Sequence, residues 1–198
     1  FSMKTNLEIE YKTLLSLSEF DQLSKRFNHI KPIRQTNHYF DTPDLKLRKN
    51  KLSLRIRTFS DAAEMTLKIP QRVGNMEHNL ALTSQQAAAI LKADGLLGHG
   101  ALLQSMLDLL DQYTIDLDTI HTLGSLTTTR REYQTPIGLM ALDRNEYTNK
   151  VDYELELEVE DAGLGEQNFN TFLKENKIEY RYARSKVVRF LESIGKMS

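Results

Sequence analysis

Carboxylates occupy every second position of one stretch, Glu154-Leu155-Glu156-Leu157-Glu158, and two more stand at Glu8-Ile9-Glu10, followed at the same spacing by Lys12. Alternate residues of an extended chain share a face, so these carboxylates stack about 6.6 Å apart. Like charges so placed repel unless a cation sits between them, and hard oxygen ligands suit Mg²⁺ or Mn²⁺. A second set is cationic. Leu52-Ser53-Leu54-Arg55-Ile56-Arg57 puts Arg55 and Arg57 on one face, and the stretch from Glu64 to Ile69 adds Lys68 beside Thr66. Arginine and lysine grip phosphate oxygens through charge-assisted hydrogen bonds. For any single strand, a half-buried sheet with its charges in water is the better reading. The sorting of sign by strand argues otherwise, because a solvated face tends to mix signs. Together the two sets suit a polyanion bound with a divalent metal.

The elements that must carry these residues follow from the same periodicity. Strands are expected over Leu7–Lys12, Asn37–Phe40, Leu52–Arg57, Glu64–Ile69, Met76–Leu82, Ser125–Tyr133, Leu139–Tyr147 and Tyr153–Glu160. The second ends at Asp41-Thr42-Pro43-Asp44, where proline stops a ladder and starts a turn. Helices are expected over Ser18–Phe27, Ser84–Leu97 with Ser84 as cap, Ala101–Tyr113, Gln167–Asn176 and Ser185–Ile194. The apolar 101–110 stretch suits packing on the strands better than a dimer face. Eight antiparallel strands are enough to close a barrel around one small ligand. With the charged faces inward, the apolar outer faces need cover, which the amphipathic helices supply. The fold class read from this is α+β, an eight-stranded antiparallel closed barrel with helices outside, in a single domain over residues 3–198. Met3 reads as a native initiator, preceded by Phe1 and Ser2.

Composition narrows the chemistry. The 198 residues hold 26 Lys+Arg against 27 Asp+Glu, a formal net charge of -1. That balance argues against a nucleic-acid or acidic-membrane binder. No apolar run reaches the roughly 18 residues a spanning helix needs. There is no cysteine, which removes thiolate metal sites and cysteine nucleophiles and fits a reducing cytoplasm. No phosphate-loop or dinucleotide fingerprint is present, and the five histidines show no zinc spacing.

The motifs, taken in order, resemble those of the CYTH superfamily, the triphosphate tunnel metalloenzymes that include class IV adenylate cyclases and thiamine triphosphatases. Glu8-Ile9-Glu10-Tyr11-Lys12 looks like its Glu-x-Glu-x-Lys signature, and Tyr39-Phe40-Asp41-Thr42-Pro43-Asp44 its second-strand signature. Leu52–Arg57, Thr66-Leu67-Lys68, Arg130, Leu142-Asp143, Tyr153-Glu154-Leu155-Glu156 and Ser185-Lys186 with Arg189 complete the series. The overall pattern resembles the short stand-alone bacterial branch. The resemblance implies that Lys12, Arg55, Arg57, Lys68, Arg130 and Lys186 hold phosphates and that Glu8, Glu10, Glu154 and Glu156 hold one or two Mg²⁺ or Mn²⁺ ions. It also implies catalytic roles for Glu10, Lys12 and Arg57, and supporting acidic positions at Glu77 and Asp143. Asp143 could equally orient a lysine or arginine. Glu158 and Glu160 read as well as a solvated strand end, and Arg184 as a surface charge. Arg131 has the opposite parity to Arg130 and is expected to face outward, leaving one basic residue where many relatives carry two.

The expected activity is metal-dependent hydrolysis of inorganic triphosphate or a small organic triphosphate, such as thiamine triphosphate or a nucleotide. The rival within the family is a cyclase making cyclic AMP and pyrophosphate from ATP. The rival outside it is a non-catalytic polyphosphate- or nucleotide-binding module. The partner is a small-molecule triphosphate, with no nucleic acid and no membrane, and the chain is a monomer or homodimer in the cytoplasm.

Overall fold

Alternation of apolar and polar side chains is realised as eight strands, and a computed structural model describes residues 2–197; Phe1, read above as preceding an initiator, lies outside the described residues. The strands are β1 (Met3–Leu15), β2 (Ile33–Asp41), β3 (Ser53–Thr58), β4 (Ala63–Pro70), β5 (Asn75–Leu82), β6 (His121–Thr135), β7 (Gly138–Tyr147) and β8 (Lys150–Val159). They form a closed antiparallel barrel in the order β1-β5-β4-β3-β2-β6-β7-β8. Six helices pack outside: α1 (Leu17–Arg26), α2 (Lys46–Lys49), α3 (Ser84–Ala93), α4 (Gln104–Leu110), α5 (Ala162–Glu175) and α6 (Lys186–Ser193). The chain divides into two compact units. One comprises the chain up to Leu7 with Thr36–Ser125, the other Glu8–Gln35 with the chain from Leu126 on.

In the first unit, the pairs Asn37↔Arg57, Tyr39↔Arg55, Ser53↔Lys68, Arg55↔Thr66, Thr66↔Asn79 and Lys68↔Glu77 put all these residues on one face. The other face carries Phe40, Leu54, Ile56, Met65, Leu67 and Leu80. These are buried with Ile90 of α3 and Met106 and Leu110 of α4 in one apolar cluster. In the second unit, Lys12↔Glu156, Glu10↔Glu158, Asp143↔Glu154 and Arg130↔Asp143 define the polar face. Opposite it, Leu15, Met140, Leu142, Leu155 and Leu157 pack with Leu23 of α1 and with Phe169 and Leu173 of α5. In each unit the helices cover the apolar outer side, so the polar face is the barrel's inner one. That is the arrangement expected from the alternation, and its reason is apolar burial beneath amphipathic helices.

The structure corrects several boundaries. The cap of α3 is Thr83, not Ser84. Thr83 Oγ1 accepts from Gln86 N at 3.0 Å and Gln86 Oε1 accepts from Thr83 N at 2.9 Å, a reciprocal capping box. The helix stops at Ala93 instead of reaching Leu97, because Asp94 turns left-handed (φ 55°) and its carboxylate accepts from Thr122 N and Oγ1 at 2.8 and 2.5 Å. The following helix spans only Gln104–Leu110. The short α2 was not anticipated. Asp41 accounts for it: its buried carboxylate accepts from the backbone N–H groups of Thr42 (2.7 Å), Leu47 (2.9 Å) and Arg48 (3.0 Å). Thr42 Oγ1 accepts in turn from Lys46 N at 2.8 Å. The Asp41-Thr42-Pro43-Asp44 stretch thus ends a strand and caps a helical turn together.

Asp41→Ala should cost about 2–3 kcal/mol by stranding buried backbone donors, with Asp41→Asn losing less. Urea unfolding monitored by circular dichroism measures both; an unchanged midpoint for the alanine variant would remove Asp41 as the organising acceptor.

Candidate active site

The second unit holds a buried charge cluster built by three strands and one helix. Antiparallel pairing of β6, β7 and β8 aligns Arg130, Asp143 and Glu154 across the sheet. Arg130 forks onto Asp143, donating from Nε to Oδ1 and from Nη2 to Oδ2 at 2.7 Å each, and Nη2 also reaches Glu156 Oε1 at 2.6 Å. The planar guanidinium suits this bidentate geometry. Ser185 caps α6 through Val188 N, so Lys186 is the first helical residue. Its Nζ meets Glu154 Oε1 at 2.6 Å, Asp143 Oδ2 at 2.9 Å and Glu156 Oε1 at 3.1 Å. One turn later Arg189 donates to Asp152 Oδ2 (2.9 Å), Glu154 Oε1 (2.8 Å) and the Arg184 carbonyl (2.9 Å). Asn145 bridges Asp152 and Glu154 with its Nδ2, and the Tyr147 hydroxyl donates to Asp152 at 2.5 Å.

Asp143 and Glu154 are wholly inaccessible, and with Glu156 they bring one carboxylate oxygen each within 4.8 Å of one another. Burial alone would push the Glu156 carboxyl up. Lys186 and Arg130, a hydrogen bond with Glu10 and the nearby Lys12 outweigh it and hold this carboxyl well below the ordinary range. For Lys186 burial acts downward, but Asp143, Glu154 and Glu156 prevail and raise it. Arg189 is likewise raised by Glu154 and Asp152 against its burial. Lys12 Nζ lies 3.9 Å from Glu10. One observation fits the cluster to a hard divalent cation: Glu154 Oε2 is buried without a hydrogen-bond partner beside the Asp143 and Glu156 oxygens.

The first unit carries a different set. Arg57 Nε donates to Asn37 Oδ1 at 2.8 Å, with Glu64 at 3.9 Å from Nη1. Arg55 Nε is buried with no hydrogen-bond partner. Lys68 Nζ stands 3.6 Å from Glu77, which also accepts from Asn6 at 3.3 Å. Thr66 donates to Asn79 at 2.7 Å, and Asn79 donates to Asn6 at 3.1 Å. Neutral amides and hydroxyls therefore stand beside the cations on this face.

Of the residues singled out from sequence, Glu10, Lys12, Arg130, Asp143, Glu154, Glu156 and Lys186 come together in the second unit, with Glu8 on the β1 face of Glu10. Arg55, Arg57, Lys68 and Glu77 share the polar face of the first. Asp143 accepts from both Arg130 and Lys186 and also stands in the acidic group with Glu154 and Glu156. Arg131 lies on the opposite face from Arg130, as its parity required, and donates to the Ile30 carbonyl. Arg184 forms a half-exposed ion pair with Glu192 at 2.7 Å. Arg189, Asp152 and Asn145 were not picked out as site residues. Arg189 was visible only as the end of Ser-Lys-x-x-Arg, and Asp152 only by its parity with Glu154.

The CYTH domain family model matches residues 6–191. The chain belongs to the CYTH family. It is 35% identical over 192 residues to the Bacillus subtilis (strain 168) protein named "Putative triphosphatase YjbK", covering 96% of this chain and 97% of that one. A crystal structure described as a "putative adenylate cyclase" from Bacillus halodurans superposes with a TM-score of 0.84 at 32% identity, covering 94% of this CYTH chain and 98% of the other. The Hippeastrum protein HpAC1, described as a "putative adenylyl cyclase" with a dominant triphosphatase activity, gives 0.79 at 26% identity, covering 97% and 98%.

Arg189→Met should cost about 3–5 kcal/mol by stranding Glu154 and Asp152, with Arg189→Lys recovering part of it, as guanidinium unfolding would report. An unchanged midpoint would show that the pair is dispensable. The Glu156 shift also fixes a sign: its folded pKa is depressed, so its contribution is complete above the ordinary glutamate range and is lost as pH falls below that range through the depressed folded value. Glu156→Gln should lower stability at pH 7 and flatten the acid limb of a stability-versus-pH curve below about pH 5; a parallel acid limb would contradict the assignment.

Proposed function

We propose that the chain is a divalent-metal-dependent triphosphatase acting on inorganic triphosphate or a small organic triphosphate such as thiamine triphosphate or a nucleotide. The observation that carries this reading is the convergence of Asp143, Glu154 and Glu156 on Arg130 and Lys186, with one carboxylate oxygen left unpartnered. Glu8, Glu10, Glu154 and Glu156 would hold one or two Mg²⁺ or Mn²⁺ ions, with Asp143 and Glu77 in support. A bound ion would supply Lewis-acid neutralisation of phosphate oxygens and a more acidic water. The protein's own contribution is charge and orientation. Lys12, Arg55, Arg57, Lys68, Arg130 and Lys186 would grip the phosphates, and their charge grows in value as negative charge builds on the leaving group. Lys12 and Arg57 would act on the reacting phosphoryl group and Glu10 on the attacking water.

The names carried by the relatives support the hydrolytic reading, and the match over residues 6–191 supports a single domain over 3–198. No helix among the described residues is long and apolar enough to cross a membrane. The absence of cysteine suits a cytoplasmic setting, where the protein would act as a monomer or homodimer on a small molecule rather than on nucleic acid.

The test is a panel of inorganic triphosphate, thiamine triphosphate and ATP with Mg²⁺ or Mn²⁺, following phosphate, pyrophosphate and cyclic AMP. Phosphate release that stops on chelation is expected. Cyclic AMP at rates matching hydrolysis would replace this reading with a cyclase, and tight binding without turnover would replace it with a binding module. Glu10→Gln should lower turnover at least about 100-fold while leaving triphosphate affinity within about threefold; undiminished turnover would remove Glu10 from the site.

A further inference from the structure

The three cations of the buried cluster are not held alike. Arg189 is fixed by the Arg184 carbonyl as well as by Asp152 and Glu154, so it is tied to the segment that leads into its helix. Arg130 is forked onto Asp143 along adjacent strands and lies 3.5 Å from Glu132 besides. Among the described residues Lys186 meets only Asp143, Glu154 and Glu156, the three acids that converge within 4.8 Å. Its ammonium has three donors, and three carboxylates take them. Nothing is left for a phosphate oxygen. The side chain is an unbranched four-carbon stem at the first residue of α6, so it can swing away without disturbing the helix.

The charge balance points the same way. Six acids, Glu10, Glu132, Asp143, Asp152, Glu154 and Glu156, face four cations, Lys12, Arg130, Lys186 and Arg189, so the cluster is already negative and becomes more so by one charge when Lys186 withdraws. With Lys186 in place, an entering cation would meet a like charge and find the Asp143 and Glu156 oxygens already engaged by Lys186 and Arg130.

We propose that Lys186 is a resident counter-ion that occupies the carboxylate cage of the free protein, and that metal and triphosphate bind with positive coupling because the phosphates draw its ammonium out. This rests on the triphosphatase reading for the identity of the anion, but the cage and its occupant stand without it. The coupling is reciprocal: whatever factor triphosphate adds to metal affinity, metal adds to triphosphate affinity. Lys186 is thereby a positioning residue for the metal in the free protein and a phosphate ligand in the loaded one. The raised proton affinity of its amine agrees with an ammonium held firmly in the cage.

The experiment is a calorimetric titration of the full chain with Mn²⁺ alone. Lys186→Gln should bind Mn²⁺ at least about tenfold more tightly than the wild type, and Lys186→Arg, which keeps the charge, should bind as weakly as the wild type. Equal or weaker binding by Lys186→Gln would overturn the proposal. Should that variant not fold, the wild type decides. Its Lys186 Cε–Hε resonance in lysine-labelled protein, assigned by its loss in Lys186→Arg, should hold its position with Mg²⁺ alone. It should move when Mg²⁺ and a non-hydrolysable imido-triphosphate are added together. Movement with Mg²⁺ alone would overturn the proposal. Neither readout needs turnover, so a wild type that releases no phosphate would defeat the triphosphatase reading while leaving these measurements to judge Lys186.

Discussion

Two fully buried carboxylates, Asp143 and Glu154, cannot exist in a folded protein without cations brought to them, and the second unit is organised around that need. Arg130 comes from the neighbouring strand through antiparallel register. Lys186 and Arg189 come from a C-terminal helix that the chain reaches only after α5 and an extended stretch. The helix is tied back by these ion pairs as much as by its apolar residues Val188, Phe190 and Leu191. Removing any one partner leaves the others as uncompensated charge, so the cluster is rigid in composition even where a single side chain can move.

Both units solve the same problem of a two-faced sheet. One face is apolar and covered by helices; the other is polar, and in the second unit it is met by Lys186 and Arg189 of α6. What differs is how charge on the polar face is separated. In the first unit Arg57 bonds the neutral Asn37, Thr66 and Asn79 bond each other beside Arg55 and Lys68, and the acids Glu64 and Glu77 stand 3.9 and 3.6 Å from Arg57 and Lys68. In the second, cations and carboxylates are in direct contact. The first arrangement leaves donors such as Arg55 Nε available for an anion. The second leaves an acceptor, Glu154 Oε2, available for a cation.

Much of this was legible without coordinates. Period-two alternation gave the strands, their faces and the outward turn of Arg131, because side-chain direction in a strand depends on parity alone. Ends of elements were less legible. The cap of α3 moved from Ser84 to Thr83 because the reciprocal partner Gln86 selects between two adjacent hydroxyl residues, and α2 escaped notice because the carboxylate that accepts from its N–H groups, Asp41, belongs to the preceding strand. Arg189 was missed as a site residue because helical spacing places it with Lys186 but does not say what either meets.

The sequence by itself determined which residues share a face and that the polar faces carry sorted charge, since both follow from local geometry and residue type. Only the tertiary structure decided which charges touch. Lys186 is 30 residues from Glu156 and 43 from Asp143 along the chain, and nothing local could assign its ammonium to those carboxylates. The reason is physical: ion pairs buried away from water are fixed by the packing of distant elements, and that packing exists only once the helices have covered the apolar face.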